Sequence, residues 1–194
     1  MDLYKIGLKA FVENPDSLKI LDFIPVFHRW IQNQELEGHL LIDVHNYTHI
    51  EDGPGVLLVA YEGNLSLDQS SGRPGLLHYR KQPTDGSFQE RLTSIFHATL
   101  NACRLLESDS SLGGVRFKSN ELLLLANDRL QAPNTEETFN RIRPTLSKVL
   151  ERLYNGNQFT LSHISSEKER FTISITSDHM AGTQSLLENL GKDT

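Results

Sequence analysis

Apolar and polar side chains alternate at the start of the chain. Tyr4, Ile6, Leu8 and Ala10 fall on one side and Lys5, Gly7 and Lys9 on the other, the pattern of a half-buried strand. The period then lengthens. Asn14-Pro15-Asp16 offers capping side chains and a pre-set φ, and Ile20, Phe23, Ile24, Phe27, Trp30 and Ile31 recur at helical spacing. Pro25 sits inside that run and removes a backbone donor, which predicts a kink there. After Gly38 the period returns to two. Leu40, Ile42 and Val44 are expected to turn inward, with His39, Leu41, Asp43 and His45 on the outer face.

Asp52-Gly53-Pro54-Gly55 is turn chemistry, and Val56 to Tyr61 is apolar on both faces, as a central strand would be. A further turn at Glu62-Gly63-Asn64 leads into a polar connection through Ser70, Ser71 and Gly72, and then to a strand at Leu76 to Arg80. Phe88, Leu92, Ile95, Phe96, Cys103 and Leu106 form one helical stripe between Asp85 and Ser108. A joint at Ser110 to Gly114 precedes a doubly buried strand, Leu122 to Ala126. Asn134 stands three residues before Glu137, the spacing of a capping box, and Phe139, Ile142, Leu146, Val149 and Leu153 continue as a stripe until Asn155-Gly156-Asn157 stops the helix. A hairpin follows, with arms Phe159 to Ile164 and Phe171 to Thr176 around a charged turn; Phe171, Ile173 and Ile175 point inward. A short helix is expected between Met180 and Leu190, with fraying from Gly191 onward.

These elements describe an α+β fold, a mostly antiparallel sheet with helices packed on one face. The length suits one domain, 1–194. The order strand, helix, strand, strand occurs at 3–62 and again at 121–176. This is compatible with a duplicated βαββ arrangement, with halves 1–83 and 115–190 joined by a helix at 86–108. Effector-binding domains of the gyrase-inhibitor type have comparable topology and build a ligand cleft between their halves, an analogy of fold that does not fix function.

Composition excludes more than it selects. A net charge of −6 opposes the phosphate neutralisation on which nucleic-acid binding depends, and the basic residues form only short, interrupted pairs. No nucleic-acid partner is expected. One cysteine, Cys103, allows no intramolecular disulfide or thiolate metal cage, and its apolar stripe argues for burial. Asp2, Lys5, Lys9 and Glu13 interrupt the opening segment, and the apolar runs are too short for a bilayer, so no membrane insertion and a cytoplasmic location are expected.

Two stretches carry a resemblance: His49-Ile50-Glu51-Asp52-Gly53-Pro54-Gly55-Val56-Leu57-Leu58-Val59 and Asn127-Asp128-Arg129-Leu130-Gln131-Ala132-Pro133-Asn134-Thr135. With them the chain resembles, over nearly its whole length, a family of uncharacterised bacterial proteins, a domain of unknown function. The resemblance brings no catalytic residues with it.

The chemistry is concentrated between Asp43 and Asp52, where imidazoles and carboxylates alternate. One reading makes Asp43, His45, Tyr47 and His49 an outward face that binds a protein partner, a second copy or a small ligand, with no cofactor. The alternative makes His45, His49 and Glu51 the ligands of a divalent metal in a hydrolase, with Glu51 or Asp52 as base. On a straight strand His45 and His49 would lie about 13 Å apart, too far to share one ion unless the chain bends. Arg73 and Arg80 are a candidate pair for an acidic ligand, while His28 and His97 read as boundary residues of helices. Nucleophile elbows, zinc-protease helices and dinucleotide fingerprints are absent.

Overall fold

The computed structural model describes residues 3–165 and 169–191. In chain order the elements are β1 (Ile6–Val12), α1 (Phe23–Asn33), β2 (Leu41–Tyr47), β3 (Gly55–Ala60), β4 (Gly63–Asp68), β5 (Gly75–Arg80) and α2 (Phe88–Ser108). They continue with β6 (Phe117–Ala126), α3 (Glu136–Leu153), β7 (Phe159–His163), β8 (Phe171–Ser177) and α4 (Thr183–Gly191). The strands form one sheet in the order β2-β3-β4-β5-β1-β6-β8-β7. Every neighbouring pair is antiparallel. The chain is of the α+β class, with its helices packed against the sheet.

The period-two pattern of β1 explains how the sheet acquires two unlike faces. Ile6, Leu8, Ala10 and Val12 join a core that includes Phe27 of α1, Phe96 and Leu100 of α2, Leu146 of α3 and Leu186 of α4. Gly7, Lys9 and Phe11 take the opposite face, away from the core shared with the four α-helices, and are flanked by Leu77 of β5 and Leu123 of β6. Phe11, Leu77 and Leu125 are buried, yet they stand apart from the helix-covered cluster. Their shelter comes from the open side.

The seam between β1 and β6 has β5, β4, β3 and β2 on one side and β8 and β7 on the other. α1 packs on β2 and β3, α2 on β1 and β5, α3 on β7 and α4 on β6.

Several local expectations change. Pro25 is the third residue of α1, where its missing N–H would have had no helical acceptor, so the helix begins around it without a break. Thr135, not Asn134, caps α3, its hydroxyl accepting from Thr138 N at 3.3 Å. Asn134 turns instead to the β7 edge, where its side-chain amide donates to the Ile164 carbonyl at 3.2 Å. The run Val56 to Ala60 is second from the edge, not central. β4, passed over in the sequence as the start of a polar connection, is a full strand with Leu65 and Leu67 inward. Part of the charged turn between β7 and β8, and the residues after Gly191, lie outside the described residues. Among the described residues no helix is long and apolar enough to cross a membrane.

Candidate functional site: the open face of the sheet

The expected direction of β2 is corrected by a bulge. Leu41 pairs with Ala60 and Asp43 with Val59, so the register slips at Ile42. Leu41 therefore points into the core, while Leu40 and Ile42 are 57% and 53% exposed. His39 turns inward as well. Beyond the bulge the alternation resumes, with Val44 packed against the core and Asp43 and His45 exposed.

Asp43, His45 and Tyr47 thus share the open face, on its outermost strand. His45 Nε2 approaches Asp43 at 3.5 Å. The rings of His45, Tyr47 and His49 follow one another at centroid distances of 6.1 and 6.4 Å, an aromatic row and not a convergent ligand set. Glu51 lies in the turn beyond. Among the described residues no group of three or more His, Cys, Asp or Glu side chains is placed to hold a metal ion. Arg73 and Arg80 are not brought together: Arg73 borders the open face, whereas Arg80 reaches Ser94 on α2.

The register leads from this row to the middle of the sheet. His45 faces Leu57, Leu57 faces Ser66, Ser66 faces Leu77, and Leu77 faces Lys9. Across the seam Lys9 faces Leu123, which faces Ser174. Lys9 is the floor of a cleft of about 510 Å³. Its walls are Phe11, Leu77, Leu123 and Leu125 on the apolar side and Thr172 and Ser174 on the polar side, and Ile164 and Arg170 close it from the β7–β8 end.

Lys9 is only 4% exposed. Its ammonium donates to Asp68 Oδ2 at 2.5 Å, and Asp68 is also held by the Ser70 hydroxyl at 2.6 Å. Burial pushes the Lys9 pKa down, against the pull of Asp68 and with help from the Arg73 and Arg170 charges. Of its three N–H donors Asp68 takes one, and no other acceptor reaches Nζ among the described residues. Arg73 lies with its guanidinium carbon 3.9 Å from the Phe11 ring centroid and is fixed by Glu121 at 2.5 Å. Four cationic residues (Lys9, Arg73, Arg129, Arg170) and two carboxylates (Asp68, Glu169) line the cleft, and with Glu121 paired to Arg73 the described residues leave a local excess of one positive charge, 4 − 3, in a chain of net charge −6. Of this constellation the sequence pointed only to Arg73.

A second polar cluster lies on the helix side, where the surroundings are otherwise apolar. His39 Nδ1 stands 3.2 Å from the Glu37 carbonyl, which can only accept, so Nδ1 carries the proton. His39 Nε2 is then an acceptor, and His78 Nε2–H donates to it across 3.0 Å. Burial pushes both imidazoles below the ordinary histidine pKa, His78 further than His39, and the Arg80 charge adds to it. The sign of the pH dependence follows. Well above the ordinary histidine pKa folded and unfolded chains are alike at these positions; as the pH falls through it the unfolded chain takes up protons more readily than the folded protein, so stability falls. Urea unfolding between pH 7.5 and 5 should show a loss approaching about 1.4 kcal/mol per pH unit for each proton withheld. In His78→Phe the slope should be shallower.

No family model, curated protein or solved structure was found to match the chain.

Proposed function

We propose that this protein is a non-enzymatic binding module whose open-sheet cleft takes a small amphipathic anion, a carboxylate or similar head on an apolar body. The observation that carries this reading is the Lys9 ammonium, nearly removed from water on the sheet face turned away from the core, at the bottom of a cleft walled by leucines and rimmed by arginines. A lysine on a strand whose neighbours across the ladder are Leu77 and Leu123 adds nothing to packing that an aliphatic residue would not supply better. It does supply two unused donors to a ligand head group.

Volume and composition agree with small-molecule binding, for which clefts of roughly 300–1,000 Å³ with apolar walls and a few convergent polar groups are usual. The leucines and Phe11 would cover the apolar body, Lys9 and Arg170 would meet the negative head, and Thr172 and Ser174 would orient it. The outward row Asp43, His45, Tyr47 and His49 lies beyond this cleft on the same face and would contact only a longer ligand or a protein partner.

Octanoate is the probe. Calorimetric titration should give saturable binding, and Arg170→Gln should weaken it about 10-fold, the size of one charge-assisted hydrogen bond. Lys9→Met/Asp68→Leu, which removes both charges of the buried pair, should abolish it while the circular dichroism spectrum stays that of the parent. Octanoate that produces no more heat or thermal stabilisation than butyrate or chloride at equal ionic strength would overturn the proposal.

A further inference from the structure

Arg80, at the end of β5, faces the helix layer and is only 8% exposed. Its one hydrogen bond among the described residues is from Nη2 to the neutral Ser94 hydroxyl at 2.6 Å, and its Nε, shielded from water, has no partner. Glu62 acts on its charge through space, but the Glu62 carboxylate is engaged by the Leu40 N–H at 2.8 Å, and the two side chains form no ion pair. A guanidinium taken out of water without a hydrogen-bonded counter-ion is costly, and buried charges are ordinarily paired.

The surroundings provide the room. Arg80 and His39 lie at the base of a pocket of about 590 Å³, between the loop that leads into β2 and one side of α2. Thr93, Ser94, His97 and Asn101 recur along that side of the helix at spacings of one, three and four residues and present hydroxyl, imidazole and amide groups to the same space. Arg152, from the end of α3, adds a second guanidinium. The acids at this pocket are Glu37 and Glu90, both exposed at the rim, and Glu90 Oε2 already accepts from Ser87 N at 2.6 Å. Rim carboxylates are screened by water, whereas the floor cation acts in a medium of lower dielectric, so the floor decides the sign of the ligand.

We infer that this pocket is an oxyanion site, separate from the open-sheet cleft, in which Arg80 pairs with the phosphate group of a small phosphorylated molecule. His97 and Asn101 contribute further donors. Leu36 and Ala98 offer an apolar wall for the organic body. Because it shares no residue with the cleft around Lys9, it stands or falls independently of the function proposed above.

The test uses the intact chain with inorganic phosphate and glycerol phosphate as probes, read by calorimetry and by thermal unfolding at constant ionic strength. Both probes should stabilise the parent protein saturably, with acetate at least 10-fold weaker. His97→Gln, on the exposed face of α2, should weaken phosphate several-fold without altering the fold, and Arg80→Gln should remove phosphate stabilisation. Should phosphate act no differently from chloride on the parent, or bind Arg80→Gln as tightly as the parent, the inference would be overturned. Acetate that binds as tightly as phosphate would likewise overturn the assignment to phosphorylated ligands.

Discussion

Asp68→Ala should lower the unfolding free energy by about 3–5 kcal/mol, as removal of one partner from a buried ion pair does. The pair is Lys9 with Asp68, at 2.5 Å, with side-chain exposures of 5% and 8%. The loss comes less from the attraction itself than from what remains, an ammonium among Phe11, Leu77 and Leu123 with no acceptor. Urea titrations of the single variant should show a lower midpoint with an unchanged slope. The double variant Lys9→Met/Asp68→Leu removes both charges at once and should recover most of the loss, or exceed the parent in stability, while failing to bind octanoate. A double variant as unstable as Asp68→Ala would mean that the pair is needed to hold the sheet and not to serve a ligand.

A second large effect is expected at the junction of α3 with the far half of the sheet. Tyr154 is fully buried at the end of α3, its ring centroid lies 6.2 Å from that of Phe159, and its hydroxyl donates to the Ser119 carbonyl at 3.0 Å. Burial raises its pKa well above the ordinary tyrosine value, so it stays a neutral donor throughout the stable range. Tyr154→Ala should cost about 3–5 kcal/mol, combining lost burial, a cavity and an orphaned carbonyl. Tyr154→Phe isolates the hydrogen bond and should cost about 1 kcal/mol. Thermal unfolding of the two variants side by side separates the contributions. Equal losses would assign the effect to the hydroxyl alone.

The sequence was most readable where local periodicity and tertiary burial agree. α2 and α3 carry continuous apolar stripes, and the inward set Phe171, Ile173 and Ile175 of β8 is buried as its alternation implied. It was least readable at β2, because a bulge is set by pairing with β3 and leaves no local mark on the pattern; one displaced residue exchanged Leu41 for Leu40 and Ile42 at the core. β4 escaped notice although Leu65 and Leu67 alternate with Asn64, Ser66 and Asp68, since its glycine start and polar flank resembled a loop. The cleft was hidden for a different reason. Lys9 and Asp68 are separated by 59 positions, and only the placement of β4, β5 and β1 side by side turns two ordinary charged residues into a buried pair. The Lys9 position itself was legible as the non-core side of β1, but the depth of that side was not.

The seam between β1 and β6 has a consequence for how the chain comes together. Ile6 pairs with Ala126, so the middle of the sheet joins segments more than a hundred residues apart, while β2 to β5 form an uninterrupted meander of close neighbours. Closing so long a loop carries an entropy cost that must be met before the seam contributes anything in return. On a ribosome the first strand emerges long before its second partner exists, and β5 is the earlier of its two docking edges. Refolding from denaturant should therefore run in the slow regime of non-local topologies, with the meander as its earliest framework.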